Sequence, residues 1–305
     1  MKCLVTGGAG FIGTNLIKRL LQDGHQVESV DNYCTGFREN KQKGCHYYDE
    51  DISNKFFWYL GDKDECEITC DHEIDTPDVI FHLAALARIQ PSFDEPTETF
   101  NTNVNGTLNV LEYARKNGNV PVIYAGSSSS HGDKNANPYT FTKWQGELLC
   151  QMYNEVYRLP TVITRFYNVY GPHQILDGAY AAVIGIFQTL YNESKPLTIT
   201  GDGEQRRDFT HVDDIVDGLI KSAENIEVSN GKTFELGSGE NFSINEIAKM
   251  FGDVDIEYIP KRPGEMRVTL CKSIMARELL GWIPQKNIRD YIKKYLILDK
   301  QDYTY

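Results

Sequence analysis

The sequence predicts an α/β fold in which a doubly wound parallel sheet is followed by a smaller C-terminal α/β lobe. Two observations predict this fold. Short β-branched segments alternate with longer helical patterns through the first half of the 305 residues. A glycine-rich turn also joins the first strand to the first helix. Alternation of this kind builds β-α-β units, whose strands are parallel and whose helices cover both faces of the sheet.

The alternation continues as far as about residue 168. We predict strands at Lys2–Thr6, Gln26–Asp31, Pro77–Ala84, Val120–Ala125 and Thr161–Phe166, and helices at Gly10–Gln22, Thr97–Lys116 and Pro138–Arg158. Residues 1–168 are therefore expected to form a nucleotide-binding domain of the Rossmann type, because its elements have the order of mononucleotide-binding units.

The pattern changes from about Gly171, where helices mix with short strands and loops rich in glycine and proline. Helices are predicted at Ala179–Tyr191 and Ser243–Phe251, and Ser243 and Glu246 form a capping box at the start of the second. We expect residues 169–305 to be mainly a substrate-binding lobe, with residues 211–236 returning to the first domain.

Charge and hydropathy exclude two classes of partner. The net charge of −12 argues against nucleic acid, because duplex binding depends on a basic surface. No run of about 18 apolar residues is present, so we predict no membrane span. The N-terminal sequence MKCLVTGGAG lacks the apolar core of a secretory signal, and we predict a cytoplasmic protein.

The seven cysteines form no C-x-x-C pair of the kind found in zinc and redox sites. Cys66, Cys70, Asp71 and His72 are close enough in sequence to raise the question of a metal site. This stretch has no second pair of ligands, so we predict no metal and interpret the cysteines as free thiols.

The glycine-rich turn TGGAGFIG (Thr6–Gly13) predicts a dinucleotide site. Glycines are needed there because the backbone turns tightly and approaches a pyrophosphate at the helix N-terminus. We assign the residues of this turn that bind the cofactor as Gly7, Gly10, Phe11, Ile12 and Gly13. A tight turn without a ligand is the alternative, and the position between a strand and a helix argues against it.

Asp31 at the end of the second strand lies where a carboxylate would accept hydrogen bonds from the adenosine ribose. Such a carboxylate would repel a 2′-phosphate, so the predicted cofactor is NAD and not NADP. The alternative for Asp31 is a residue that merely stabilises the turn.

The Y-x-x-x-K pattern of proton-transfer sites arises easily by chance in a chain with 18 tyrosines, and it occurs three times. Tyr59–Lys63 and Tyr191–Lys195 have unfavourable contexts. Only Tyr139 and Lys143 lie in the first turns of a helix that follows a serine-ended strand, AGSSSS (Ala125–Ser130). Their spacing places both side chains on one helix face.

The chemistry explains why these residue types would be paired. Tyrosine acts as a base near neutral pH only if its pKa falls by roughly 3 units. A nearby ammonium favours the phenolate, and a serine hydroxyl would hold the substrate oxygen beside the phenol.

Together these motifs resemble the extended short-chain dehydrogenase/reductase family, and within it the NAD-dependent sugar-nucleotide epimerases and dehydratases, especially UDP-glucose 4-epimerases. The resemblance covers nearly the whole chain. Further segments that carry it are HLAALARIQPS (His82–Ser92), NVNGT (Asn103–Thr107), RFYNVYGP (Arg165–Pro172), RRDFTHVDD (Arg206–Asp214) and RPGE (Arg262–Glu265).

The resemblance implies the roles of further residues. Ser127 would be the catalytic hydroxyl beside the base Tyr139 and its partner Lys143, and both Tyr139 and Lys143 would also contact NAD. Additional cofactor contacts are implied for Asn32, Asp51, Ile52, Leu83, Ala84, Ala85 and Asn103. Substrate contacts are implied for Arg88, Ser127, Asn168, Arg207 and Arg262, with Arg207 and Arg262 on the diphosphate. A homodimer is implied through the helices Thr97–Lys116 and Pro138–Arg158.

Two departures from the family pattern concern the substrate side. Only twelve positions separate Ser127 from Tyr139, fewer than in the two-domain members. His131 replaces the tyrosine that usually precedes Gly132, and we interpret it as a packing residue.

The residues after Ser127 favour one reaction. In this family the 4,6-dehydratases, which eliminate water across C5 and C6, carry an Asp-Glu pair there, and decarboxylating members carry a glutamate, whereas this chain has Ser128 and Ser129. We therefore predict a C4 epimerase acting on a nucleotide sugar, most simply a UDP-sugar. A dehydratase with a carboxylate from another loop is the alternative, and a non-catalytic NAD-binding scaffold is a remoter one.

Overall fold

A computed structural model describes residues 1–54 and 76–302, with side chains described as far as residue 297. The Tyr59–Lys63 pair and the Cys66–His72 segment lie outside the described residues. None of the described helices is both long enough and apolar enough to cross a lipid bilayer.

Within the described residues, seven parallel strands form one sheet, which confirms the predicted fold class. The strands are β1 (Lys2–Thr6), β2 (Gln26–Val30), β3 (Cys45–Tyr48), β4 (Val79–His82), β5 (Val122–Ser127), β6 (Thr161–Phe166) and β11 (Thr233–Leu236). Their spatial order is β11-β6-β5-β4-β1-β2-β3. The order reverses between β1 and β4, and open α/β sheets bind ligands at such a point.

Helices cover both faces of this sheet, and each face has its own apolar core. One core joins the sheet to α1 (Phe11–Gln22), α7 (Val212–Glu224) and α10 (Met275–Leu280). The other joins it to α4 (Gly106–Lys116) and α5 (Pro138–Tyr157). The central strands β4 and β5 are buried along their whole length, as expected for parallel strands covered on both faces, whereas the edge strands β3 and β11 are only partly buried.

The predicted helix at Thr97–Lys116 is divided. Its parts are α3 (Pro96–Phe100), a π-helical turn (Asn101–Asn105) and α4. Apolar spacing does not distinguish a π-helical turn from a regular one, so the prediction missed it. Directly before α3 lies α2 (Ile89–Asp94). The first helix begins at Phe11 because Gly10 is extended and only caps it.

The remaining elements form a smaller assembly of short strands and helices. These are β7 (Val169–Tyr170), α6 (Val183–Asn192), β8 (Leu197–Thr200), β9 (Arg206–Asp208), β10 (Thr210–His211), α8 (Ile226–Ser229), β12 (Asn241–Ser243), α9 (Ile244–Met250), β13 (Ile256–Ile259) and α11 (Ile288–Asp302). A third apolar core joins α6, α9 and α11. The predicted capping box is present, with Ser243 and Glu246 bonding each other's backbone N–H.

Candidate active site

A cavity of about 490 Å³ lies where β1, β2, β4, β5 and β6 end, between the sheet and the smaller assembly. It brings together most of the predicted site residues from distant parts of the chain. Those that line it are Gly7, Gly10, Phe11, Ile12, Gly13, Asp31, Asn32, Ile52, Leu83, Ala84, Ala85, Arg88, Ser127, Tyr139, Lys143, Asn168, Arg207 and Arg262.

The glycine turn at one end of the cavity has no room for side chains. A Cβ on Gly13 would lie 2.1 Å from the carbonyl oxygen of Gly7. Gly7 itself has a φ of +75°, and a Cβ there would lie 2.8 Å from the backbone nitrogen of Ala84. The turn is thus built by direct backbone contact, and it leaves the N-terminus of α1 facing the cavity.

Asp31 follows β2 and is held by the backbone on both sides. Its carboxylate accepts hydrogen bonds from the N–H groups of Ala9 and Tyr33, each at 2.8 Å. Burial raises the pKa of this carboxyl, and the two backbone hydrogen bonds oppose that rise. A carboxylate has four acceptor positions, so Asp31 retains acceptors for a ribose.

Two residues expected to contact the cofactor do not line the cavity. Asp51 instead accepts a hydrogen bond from the Asn32 side chain at 2.7 Å and holds it in place. Asn103 is buried and exchanges hydrogen bonds with the backbone of Leu86 at 2.8 and 3.2 Å. Both side chains brace the loops that line the cavity, and their direct contacts with the cofactor stay a prediction.

Ser127 and Tyr139 meet inside the cavity. Ser127 ends β5, and the phenol of Tyr139 donates to its hydroxyl oxygen at 3.3 Å. The position of Tyr139 is fixed because Asn137 caps α5 by accepting from the N–H of Thr140 at 2.7 Å. Ser129 also contacts the hydroxyl of Ser127 at 2.9 Å. The arrangement places a proton acceptor beside a hydrogen-bonding hydroxyl.

Lys143 lies one turn further along α5, with 5% of its surface exposed. Its ammonium lies 4.6 Å from the ring centroid of Tyr124, a cation–π contact. Burial lowers the pKa of Lys143 to about 8, and the nearby charge of Glu147 opposes this fall. Lys143 is therefore a buried cation whose proton is held less tightly than that of a surface lysine.

Opposing effects act on the pKa of Tyr139. Burial raises the pKa of Tyr139, while its hydrogen bond with Ser127 and the charge of Arg88 lower it. That Lys143 supplies a further lowering charge stays a prediction, and in the structure its ammonium lies over the ring of Tyr124.

A buried ion pair behind Lys143 was missed in the sequence. Glu147 is 1% exposed, and Arg165 donates to it through Nε at 3.1 Å and Nη2 at 2.7 Å. The hydroxyl of Ser130 donates to the same carboxylate at 3.1 Å, which ties the serine loop to α5. The signal was available, because a glutamate four residues after Lys143 continues the same helix face.

The substrate-side residues have different surroundings. Asn168 donates to the carbonyl oxygen of Asp208 at 3.0 Å and to Thr269 at 3.1 Å. The guanidinium of Arg207 lies 3.5 Å from Glu265, whereas Arg262 is exposed at the rim.

His131 does not line the cavity. Its Nε2 lies 2.6 Å from Glu235, and its ring lies beside that of Tyr167. The described residues contain no group of His, Cys, Asp or Glu side chains that could hold a metal ion.

Comparison with known proteins was informative at the level of family. Residues 3–237 match the model of the NAD dependent epimerase/dehydratase family. The UDP-glucose 4-epimerase of Mycolicibacterium smegmatis is 34% identical, over 96% of this chain and 97% of that protein. A UDP-N-acetyl-alpha-D-glucosaminuronate decarboxylase of Bacillus cytotoxicus is 35% identical, over 81% of this chain and 78% of that protein. A crystal structure of UDP-glucose 4-epimerase from Thermotoga maritima with UDP-glucose superimposes with a TM-score of 0.89, at 28% identity and 99% coverage of both chains.

Proposed function

Because the chain belongs to the NAD-dependent epimerase/dehydratase family, we propose that it is an epimerase that inverts C4 of a nucleotide-linked hexose. The observation that carries this proposal is the contact between Tyr139 and Ser127 in the NAD cavity, without an acidic residue directly after Ser127. Reversible oxidation at C4 needs a proton acceptor, a hydroxyl and a hydride acceptor, and no further acid.

The cavity fits NAD on its own geometry. Gly7, Gly10 and Gly13 would hold the pyrophosphate at the N-terminus of α1, where N–H groups and the helix dipole favour an anion. Asp31 would accept from the adenosine ribose, and Asn32, braced by Asp51, lies beside it. The cofactor supplies a reversible hydride acceptor for the substrate carbon when it is bound.

The chain's own residues handle the proton. In the proposed reaction, the phenolate of Tyr139 takes the proton of the C4 hydroxyl while Ser127 donates a hydrogen bond to the same oxygen. Lys143 keeps a positive charge in the buried site, where it favours phenolate over phenol. The resulting 4-keto sugar turns over in the cavity, and Tyr139 returns the proton when the opposite face is reduced.

The acidic residues of the cavity favour epimerisation over elimination. Among the described residues that line it, Asp31 and Glu265 are the carboxylates. Asp31 is bound by the backbone at the ribose end, and Glu265 pairs with Arg207. Dehydration across C5 and C6 needs an acid and a base at those carbons, and neither carboxylate is free for this task.

The nucleotide part of the substrate would lie against β8, β9 and the segment 262–269. Arg207 and Arg262 line this part of the cavity and suit a diphosphate, since guanidinium groups bind phosphate oxygens in pairs. Asn168 would contact the sugar nucleotide beside them. We propose a UDP-sugar as the substrate and residues 169–305, apart from the returning segment 211–236, as the unit that binds it.

Product analysis tests the reaction directly. Purified protein would be incubated with UDP-glucose, UDP-N-acetylglucosamine and UDP-glucuronate, and the nucleotide sugars separated and identified by mass and NMR. The expected product has the mass of the substrate and the inverted C4 configuration. A 4-keto-6-deoxy sugar would replace the epimerase proposal with a dehydratase, and a pentose would replace it with a decarboxylase.

We further propose a homodimer formed through α3 and α5. Leu148, Met152 and Val156 lie at spacings of four on α5 and are 38–62% exposed, with Phe100 of α3 37% exposed. An exposed apolar stripe of this kind is typical of a helix that packs on a partner. Sedimentation should give twice the mass of 34.7 kDa, and Met152→Glu should give the monomer mass. A wild-type monomer would contradict the proposal.

A further inference from the structure

Arg88 is a cation of the cavity that the proposed chemistry does not use. It caps the N-terminus of α2, and its guanidinium is held by backbone carbonyls alone. Nε donates to the carbonyl oxygen of Tyr180 at 2.6 Å, and Nη1 donates to that of Ala87 at 2.9 Å. Among the side chains of residues 1–54 and 76–297, no carboxylate forms an ion pair with Arg88.

The lack of a carboxylate partner distinguishes Arg88 from two other arginines near this site. Arg165 pairs with Glu147, and Arg207 pairs with Glu265. Arg88 is half-buried, and this burial lowers the pKa of its guanidinium. A poorly solvated charge without a counter-ion is costly, and the Nη2 donors that remain can be satisfied by a ligand in the cavity.

The location of Arg88 restricts which anion this can be. In the proposed function, the N-terminus of α1 binds the cofactor pyrophosphate, and Arg207 and Arg262 bind the substrate diphosphate. Arg88 lies near the proposed base. It caps α2, and Ser92 of α2 accepts a hydrogen bond from the N–H of Tyr139 at 3.1 Å. The charge of Arg88 is also felt by the Tyr139 phenol.

We propose that Arg88 binds a carboxylate on the sugar, so that the substrate class is a nucleotide-linked hexuronic acid. In such a sugar the carboxylate is attached to C5, next to the C4 that reacts. A guanidinium fork binds two carboxylate oxygens at once, and a primary alcohol at C6 offers no charge for it. This inference rests on the proposed function, since Tyr139 locates the reacting carbon.

The test compares two substrates that differ at C6. We would measure kcat/KM for UDP-glucuronate and UDP-glucose with the wild-type protein, Arg88→Gln and Arg88→Lys. The wild type should prefer UDP-glucuronate. Arg88→Gln should lower kcat/KM for UDP-glucuronate by about 10- to 100-fold, the loss typical of a charged hydrogen bond. The charge of Arg88 also lowers the pKa of Tyr139, so kcat/KM for UDP-glucose should fall as well, but by a smaller factor, and the readout is the ratio of the two values. Arg88→Lys should give an intermediate loss, because it keeps the charge without the fork.

Three other outcomes would overturn the proposal. Equal losses for both sugars would assign Arg88 to the substrate diphosphate, and a weaker calorimetric affinity for NAD in Arg88→Gln would assign it to the cofactor. A wild-type preference for UDP-glucose would exclude a carboxylate-selective site. Arg267→Gln is the matched control, because Arg267 pairs with Asp202 on the surface and does not line the cavity.

The experiment separates this inference from the proposed function. If no sugar is epimerised, calorimetry with UDP-glucuronate and UDP-glucose still measures whether Arg88→Gln removes a preference for the carboxylate. If UDP-glucuronate yields a pentose, the epimerase proposal is wrong, and a carboxylate-dependent loss in Arg88→Gln still supports the role of Arg88. A variant with altered circular dichroism would be replaced in this comparison by Arg88→Lys.

Discussion

Two positively charged regions border the cavity near Tyr139, and they differ in how their charge is balanced. In the region around Lys143, the protein supplies the counter-charge through Glu147, which Arg165 holds in the interior. In the region around Arg88, the described protein supplies only the carbonyl oxygens of Tyr180 and Ala87. The first region is balanced within the protein, and in our proposal a ligand supplies the counter-charge of the second.

This difference separates chemistry from selectivity. A charge balanced within the protein keeps the same environment whichever sugar is bound, so it suits proton transfer. A charge left to the ligand contributes most when the ligand carries an anion, so it suits recognition. The two regions can therefore be tested separately. The first test concerns Tyr139, the proposed base, which lies near both.

The largest effect is expected from Tyr139→Phe. Removing the phenol removes the proposed base, and kcat should fall by about 10²- to 10⁴-fold for every nucleotide sugar. NAD affinity should change little, because the ring remains. Tyr191→Phe is the matched control, since Tyr191 and Lys195 have the same spacing but do not line the cavity. Activity that survives in Tyr139→Phe would remove Tyr139 from the mechanism.

The comparison also explains what the sequence could predict. The sequence could predict Tyr139, Lys143 and the glycine turn, because their spacing and flanking elements are local. A Cβ at Gly13, for example, would collide with the backbone only six residues earlier. The parallel strands could be predicted for the same reason, since each strand and each helix has a recognisable local pattern of apolar residues.

Contacts between distant segments could not be predicted from the sequence. Asn103, which lies in the π-helical turn, bonds to the backbone of Leu86, seventeen residues away. The pair of Glu147 and Arg165 joins a helix to a strand, and the balance of charge at Arg88 depends on every carboxylate around it. No single stretch of sequence carries that information.

A smaller effect is expected from Glu147→Gln, which breaks the charge balance of the Lys143 region. It leaves the Arg165 guanidinium without its principal buried partner, and the side chain of Glu147 is only 2% exposed. Losing one member of a buried ion pair typically costs about 3 kcal/mol in the free energy of unfolding. Urea denaturation would measure this loss, and Arg267→Gln should change stability little because its ion pair is exposed. An equal effect of both substitutions would show that the Glu147 pair does not stabilise the interior.

The smallest effect is expected in the pH dependence of the same Glu147→Gln variant. Lys143 has a pKa of about 8, lowered by burial and supported by the charge of Glu147. The ammonium is present below this pKa and is lost as the pH rises through it, so kcat/KM should decline above about pH 8. Without Glu147 the pKa of Lys143 falls further, and the decline should begin at lower pH, with activity at pH 8 reduced by about a few-fold. Arg88→Gln alters the other region, so the pH at which kcat/KM begins to decline should not change in this variant. If the pH of this decline does not change in Glu147→Gln, the charge balance of this region contributes to stability alone.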